Sequence, residues 1–198
     1  MTKYILQSGG ITNSEDKGAK FYSEIVRGLG NNPKILYCFF AIPRELWEDR
    51  FEKYPKGLTG NIDSKIKPTF ELAIPDTFEE QTKKSNAVII MGGDDKLLQH
   101  WLRQCDLPKI WEGKVVAGSS AGSDALSSSF WTCDWRECMD GLGIVPVKFI
   151  PHYKSNYGSD DPRGPIDWDK AYQELENYGD KSLPIHALKE GEFIVFEK

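Results

Sequence analysis

The stretch KVVAGSSAGSDAL, residues 114 to 126, constrains this chain more than any other. Val115 to Ala117 is a short apolar run that reads as a buried strand, and Ala121 to Ser128 are mostly small residues that suit a helix packed tightly on a sheet. Between them lies Gly-x-Ser-x-Gly, with Ser120 at its centre. A serine on so sharp a strand-to-helix turn takes a strained backbone, and side chains on either flank would clash, so glycines are needed there. The turn lifts the Ser120 hydroxyl above the sheet and points backbone N–H groups at the space where negative charge would develop. The same letters also suit a plain turn, or a serine that caps a helix. A nucleophile therefore requires a base, an orienting acid and an oxyanion hole elsewhere in the chain.

Segments before the turn alternate. Tyr4 to Gln7 reads as a strand ended by Ser8-Gly9-Gly10, and residues 17 to 28 show a helical period. Lys34 to Phe40 is a near-continuous apolar run, as in a parallel strand buried on both faces. A helix is expected from Pro43 to about Tyr54, a strand over 66–72, a helix over 75–84, a strand over 86–91 and a helix over 96–104. Strands alternating with helices, with glycine turns after the strands, predict an α/β fold with a doubly wound, mostly parallel sheet. Ligands bind such sheets at the carboxyl ends of the strands, where Gly92-Gly93 and Gly118 to Gly122 both lie. Beyond Ser128 the pattern loosens: strand over 144–150 interrupted by Pro146, loop over 157–165, helix over 167–178. Residues 184–188 and 192–196 are expected to close the chain as a hairpin.

With 198 residues the chain fits one domain, 1–198. A net charge of −5 without a basic run argues against a nucleic-acid partner. No stretch has the length of a membrane span and no signal peptide is visible, so a cytoplasmic protein is expected. The four cysteines form no C-x-x-C pair, which leaves neither a zinc site nor a redox motif, and free thiols are expected.

Of three histidines, His100 lies on a helix and His186 in a short apolar run, both readily structural. His152 follows Phe149-Ile150-Pro151 where a strand opens into a loop, a usual place for a general base. Asp124, Asp134, Asp140 and Glu190 are all available to orient it, and spacing does not choose among them. The N–H of Ala121 follows the serine, and Gly93 can supply a second oxyanion donor because no side chain blocks approach.

Taken in order, Met91-Gly-Gly-Asp-Asp95, Gly118-Ser-Ser-Ala-Gly-Ser123, Ile150-Pro-His-Tyr153 and Leu188-Lys-Glu-Gly191 resemble the S51 serine peptidases, a family that includes peptidase E (aspartyl dipeptidase) and cyanophycinase. The resemblance spans roughly residues 86 to 196. It departs in Asp94, where the family loop carries a third glycine, and in Ser119, where Trp or Thr is frequent. It implies a fold like the class I glutamine amidotransferase domain, a flavodoxin-like three-layer sandwich. It also implies Ser120 as nucleophile, His152 as base, Glu190 as orienting acid, Gly93 and Ala121 as oxyanion donors, and no metal or organic cofactor.

The substrate implied is a short peptide with an N-terminal aspartate, or a β-aspartyl isopeptide or an ester in cyanophycinase-like use of the same residues. A ligand-binding domain of the same fold without catalysis is the reading from another class. An aspartate side chain needs a cation, for which Arg163 with Lys154 behind it are the expected residues. Asp94 is placed to meet a substrate amine. A monomer or homodimer is expected.

Overall fold

Three short apolar strands run almost directly into serine or glycine turns, at Ser8-Gly9-Gly10, Gly92-Gly93 and Ser120-Ala121-Gly122, and these turns lie at the carboxyl edge of the sheet that carries the site. The structure is a computed structural model describing all residues, Met1–Lys198. Strands β1 (Lys3–Gln7), β2 (Lys34–Cys38), β3 (Thr69–Leu72), β4 (Ala87–Ile90) and β5 (Val115–Ser119) run parallel. A last strand, β10 (Phe193–Glu197), joins antiparallel beside β1, giving the order β10-β1-β5-β4-β2-β3. Helices α1 (Ala19–Val26), α2 (Trp47–Thr59), α3 (Phe78–Lys84) and α4 (Asp95–Leu102) are the crossovers between these parallel strands, and α5 (Ala121–Leu126) leads out of β5. This is the mostly parallel α/β three-layer arrangement expected from the alternation. Burial is continuous through the middle strands, with Ile35, Leu36, Val88, Ile90, Val116 and Ala117 all without exposure. Each fully buried Val, Leu or Ile contributes about 1.5–3 kcal/mol. No helix is long and apolar enough to cross a membrane, and all four cysteines are free.

Two expectations are corrected. First, α2 does not stop near Tyr54: it runs through Pro55 to Thr59. Proline removes one helical hydrogen bond, but here its ring is buried and the extra turn brings Leu58 into the core. Second, residues 184–188 and 192–196 are not two arms of a hairpin. The first contributes β9 (Ile185–Ala187) to a second sheet, and the other is β10 of the main sheet.

That second sheet also holds β6 (Ser127–Thr132), β7 (Glu137–Asp140) and β8 (Val145–Ile150), in the order β7-β6-β8-β9. Strand β6 starts directly where α5 ends, and β8 pairs parallel with it. Pro146 is tolerated inside β8 because the register slips there, between the Ser127–Val145 and Ser129–Lys148 pairs. Beneath this sheet lies α6 (Trp168–Asn177), capped at its start by Asp167. At its end, the ammonium of Lys148, 1% exposed, donates to the carbonyls of Leu175 (2.9 Å), Glu176 (3.1 Å) and Tyr178 (2.5 Å). Three donors meet carbonyls that a helix end leaves without partners, so a buried charge is satisfied and β8 is tied to α6.

A carboxyl pair is enclosed between α4, α5 and β6. Asp95 and Asp124 are 3% and 2% exposed, and Asp95 accepts a hydrogen bond from the Thr132 hydroxyl at 2.5 Å. One oxygen of each carboxyl has no hydrogen-bond partner and the charge of Asp95 raises the cost of ionising Asp124, so the pair keeps a shared proton. Burial raises the pKa of Asp95 to about 6, and burial followed by the charge of Asp95 drives Asp124 well up. Both folded values lie above the unfolded one, so the stabilisation is complete below about pH 4 and is lost as pH rises through 6 and beyond. The Asp95 shift alone corresponds to roughly 3 kcal/mol. Denaturant midpoints of the wild-type protein should therefore fall as pH rises from about 4 through 6, and Asp124→Asn, whose amide donates without titrating, should flatten that slope. Parallel pH profiles for the two proteins would refute the shared proton.

Candidate active site

Ser120 sits at the end of β5 with φ 51° and ψ −118°, a strained conformation for a residue bearing a side chain. The end of β1 holds it there. The carbonyl of Gln7 accepts from the Ser120 N–H at 2.9 Å and from the Ser123 hydroxyl at 2.8 Å. The glycines leave no room for side chains: a Cβ on Gly122 would lie 2.2 Å from the Ile90 carbonyl oxygen, and one on Gly118 2.5 Å from the Gly122 backbone. On the other side, a Cβ on Gly92 would lie 2.9 Å from that of Ser120, which puts the Gly92-Gly93 turn against the serine. The N–H groups of Gly93 and Ala121 have no acceptor within the protein, so both are free to meet a developing oxyanion.

His152 stands two residues beyond β8, also with positive φ (53°). Its N–H donates to the Ser8 hydroxyl at 2.7 Å, and that hydroxyl donates to the Leu188 carbonyl at 2.8 Å. Tyr157 stacks on one face of the ring, with centroids 4.1 Å apart and planes 23° apart. Gly9 lies so close that a Cβ would be 2.3 Å from the imidazole. So held, His152 Nε2 is 3.1 Å from Ser120 Oγ, and Nδ1 is 3.0 Å from Glu190 Oε1. The other oxygen of Glu190 accepts from the Asn13 amide at 2.5 Å.

Burial lowers the pKa of His152, with Glu190 pulling the other way, so the ring is neutral at pH 7 and able to accept a proton. Burial raises Glu190, but hydrogen bonds from Asn13 and His152 outweigh it and hold the carboxyl below its ordinary range. A hydroxyl, a neutral imidazole and a carboxylate in line are what moving a proton off serine demands.

Of the acids left open by spacing, Glu190 is the one that reaches His152. Asp124 is spent on Asp95, Asp134 accepts from the Tyr157 hydroxyl at 2.7 Å, and Asp140 ends β7 on the surface. His100 is exposed on α4, and His186 packs edge-on against Phe196. No group of three or more His, Cys, Asp or Glu side chains is placed to hold a metal ion.

Residues 4–198 match the sequence model of peptidase family S51. The chain belongs to peptidase family S51. It is a serine-type peptidase by that membership. Two solved structures share its fold. A peptidase from an acI-B1 actinobacterium superposes with a TM-score of 0.64 at 23% identity, over 99% of this chain and 83% of the other. A protein assigned to peptidase E from Listeria monocytogenes EGD-e gives 0.69 at 17% identity, over 99% and 94%. No curated protein sequence matches.

In this S51 peptidase the expected substrate-binding residues are already occupied. Arg163 is exposed, forks onto both oxygens of Asp161 and donates to the Asp134 carbonyl at 2.7 Å. Lys154 lies 3.5 Å from Asp169. Asp94 caps α4, accepting from the Leu97 N–H at 2.7 Å. Sequence reasoning missed the contribution of the N-terminal segment: Gln7, Ser8, Gly9 and Asn13 all touch the site. The signal present was Gly9-Gly10 at a strand's carboxyl end, the same one that singled out Gly92-Gly93.

Proposed function

We propose that this peptidase hydrolyses short peptides, foremost dipeptides with an N-terminal aspartate, through an acyl-enzyme on Ser120. As Ser120 Oγ attacks the peptide carbonyl carbon, its proton passes to His152 Nε2. The carbonyl oxygen takes the negative charge and is met by the N–H groups of Gly93 and Ala121. Glu190 holds the Nδ1–H of the imidazolium and offsets its charge. His152 then gives the proton to the leaving nitrogen as the C–N bond breaks, leaving an aspartyl ester on Ser120. Water attacks that ester, His152 takes its proton and returns one to Ser120 Oγ, and aspartate leaves.

The observation that carries this proposal is the continuous relay Ser120–His152–Glu190, on a strained turn flanked by two free N–H groups. Short substrates are favoured because Tyr157 and the loop that follows it wall one side of His152. An aspartate side chain would reach Arg163 only by displacing Asp161, and Lys154 only by displacing Asp169.

The test is a panel of Asp-Leu, Asn-Leu, Ala-Leu and β-Asp-Leu, alongside labelling of Ser120 by a neutral fluorophosphonate. The expected result is cleavage of Asp-Leu above the other three, with the label on the Ser120 peptide. Preference for β-Asp-Leu would replace the dipeptidase with an isopeptidase on the same residues. An unlabelled Ser120 in folded protein would overturn the nucleophile.

A further inference from the structure

The two flanks of the site differ in charge. Beside Glu190 opens a cleft of about 840 Å³ whose wall carries Glu15, Asp16 and Glu192 as well, against a single cation, Lys20. A substrate carboxylate is repelled there. A separate cavity of about 390 Å³, beyond Gly10, reaches the elbow at Ser119, the residue before Ser120, and at Met91, which precedes Gly92. Tyr22 and Tyr54 line it, no acidic side chain does, and Arg50 and Lys53 of α2 are its cations.

Neither of these two cations is committed to an acidic partner. Arg44 on the preceding turn is paired with Glu48, Lys34 with Glu71 and Arg163 with Asp161. Arg50 and Lys53 make no ion pair, although the chain carries an excess of acidic residues. Three apart on a helix, they share a face and repel each other, a small cost that an anion between them would remove. A guanidinium offers a planar fork for carboxylate and an ammonium adds a point charge.

We propose that Arg50 and Lys53 form a carboxylate-binding subsite, holding an acidic group of the peptide on the Ser119 side of the elbow. The proposal rests on Ser120 acting on short acidic peptides, and it moves recognition of the acid from Arg163 to α2. Two carboxylates of Asp-Leu share the required chemistry: the aspartate side chain and the C-terminal group.

Calorimetric titration into Ser120→Ala protein, which binds without turnover, tests it with three peptides: Asp-Leu, Asn-Leu and Asp-Leu amide. In that background, Arg50→Ala/Lys53→Ala is expected to weaken Asp-Leu by about tenfold or more, since a charged hydrogen bond contributes at least that much. Both substituted positions are exposed, so the fold should persist, as circular dichroism would verify. Whichever carboxylate is held, its removal from the peptide should cost the same factor with the cations present and little without them. Weaker Asn-Leu identifies the side chain, and weaker amide identifies the C-terminus. Equal binding of all three peptides, binding unchanged by the double substitution, or no binding at all would overturn the subsite. Should wild-type protein leave Asp-Leu intact while Ser120→Ala binds it through Arg50 and Lys53, hydrolysis fails and the subsite stands. Should cleavage occur with binding indifferent to the two cations, the subsite fails and hydrolysis stands.

Discussion

His152→Ala is expected to lower kcat/KM for the cleaved dipeptide by about 10⁴–10⁶-fold, Ser120→Ala by a similar factor, and the double substitution by no more than either alone. The reason is mechanical. Ser120 Oγ and His152 Nε2 lie 3.1 Å apart and share one proton, so loss of either group leaves the other without a task. In the proposed mechanism, what survives is catalysis by the oxyanion donors and by binding, which neither change removes. Losses that multiply in the double variant would show the two groups serving separate steps and would break the proposed relay. Because the His152 ring fills the space between Gly9 and Tyr157, a denaturant midpoint for His152→Ala should accompany the rate. A drop in rate with an intact cooperative transition belongs to chemistry.

Glu190→Gln should cost on the order of 10³–10⁴ in kcat and should also displace the pH profile. In the wild-type protein, burial depresses the His152 pKa and the Glu190 carboxylate partly restores it. The acid limb of kcat/KM, which reports the free enzyme, should therefore lie below the ordinary histidine value of about 6.5. Glutamine keeps the shape and removes the charge. The imidazolium loses its counter-ion, burial acts alone, and the limb should move to still lower pH. A limb that stays in place or rises would mean that Glu190 does not face His152 during turnover. Loss of rate without a displaced limb is what a merely structural Glu190 would produce.

The elbow was legible because each of its requirements is local. An apolar run, two glycines around a serine and a run of small residues sit within fifteen positions, and the structure turns where they predict. His152 was legible by position, at the mouth of a strand. The acid was not settled by spacing, because Glu190 reaches His152 through the parting of β9 and β10, and a Lys-Glu-Gly turn between two short strands looks the same whether the strands pair with each other or with different sheets. Local alternation states that a strand exists and leaves its partner unstated. Strand β6 was hidden for a related reason: it begins at Ser127 with no turn residue after α5, inside a run of small residues that suits a helix. Asn13, Ser8 and Gly9 escaped notice because their partners lie more than 140 positions away.

The crossing from β9 to β10 has a temporal consequence. Glu190 is fixed by Asn13, and the neighbouring Gly191 N–H by the Gly9 carbonyl, contacts that join segments more than 170 positions apart in the chain. Ser120, its turn and the ring of His152 can all be in place before β10 pairs with β1, yet the Glu190 carboxylate reaches the ring only with that pairing. Closing so wide a loop is slow compared with forming neighbouring pairs. Peptide cleavage should thus appear only after these distant segments have met, so that the onset of turnover serves as a clock for completed folding.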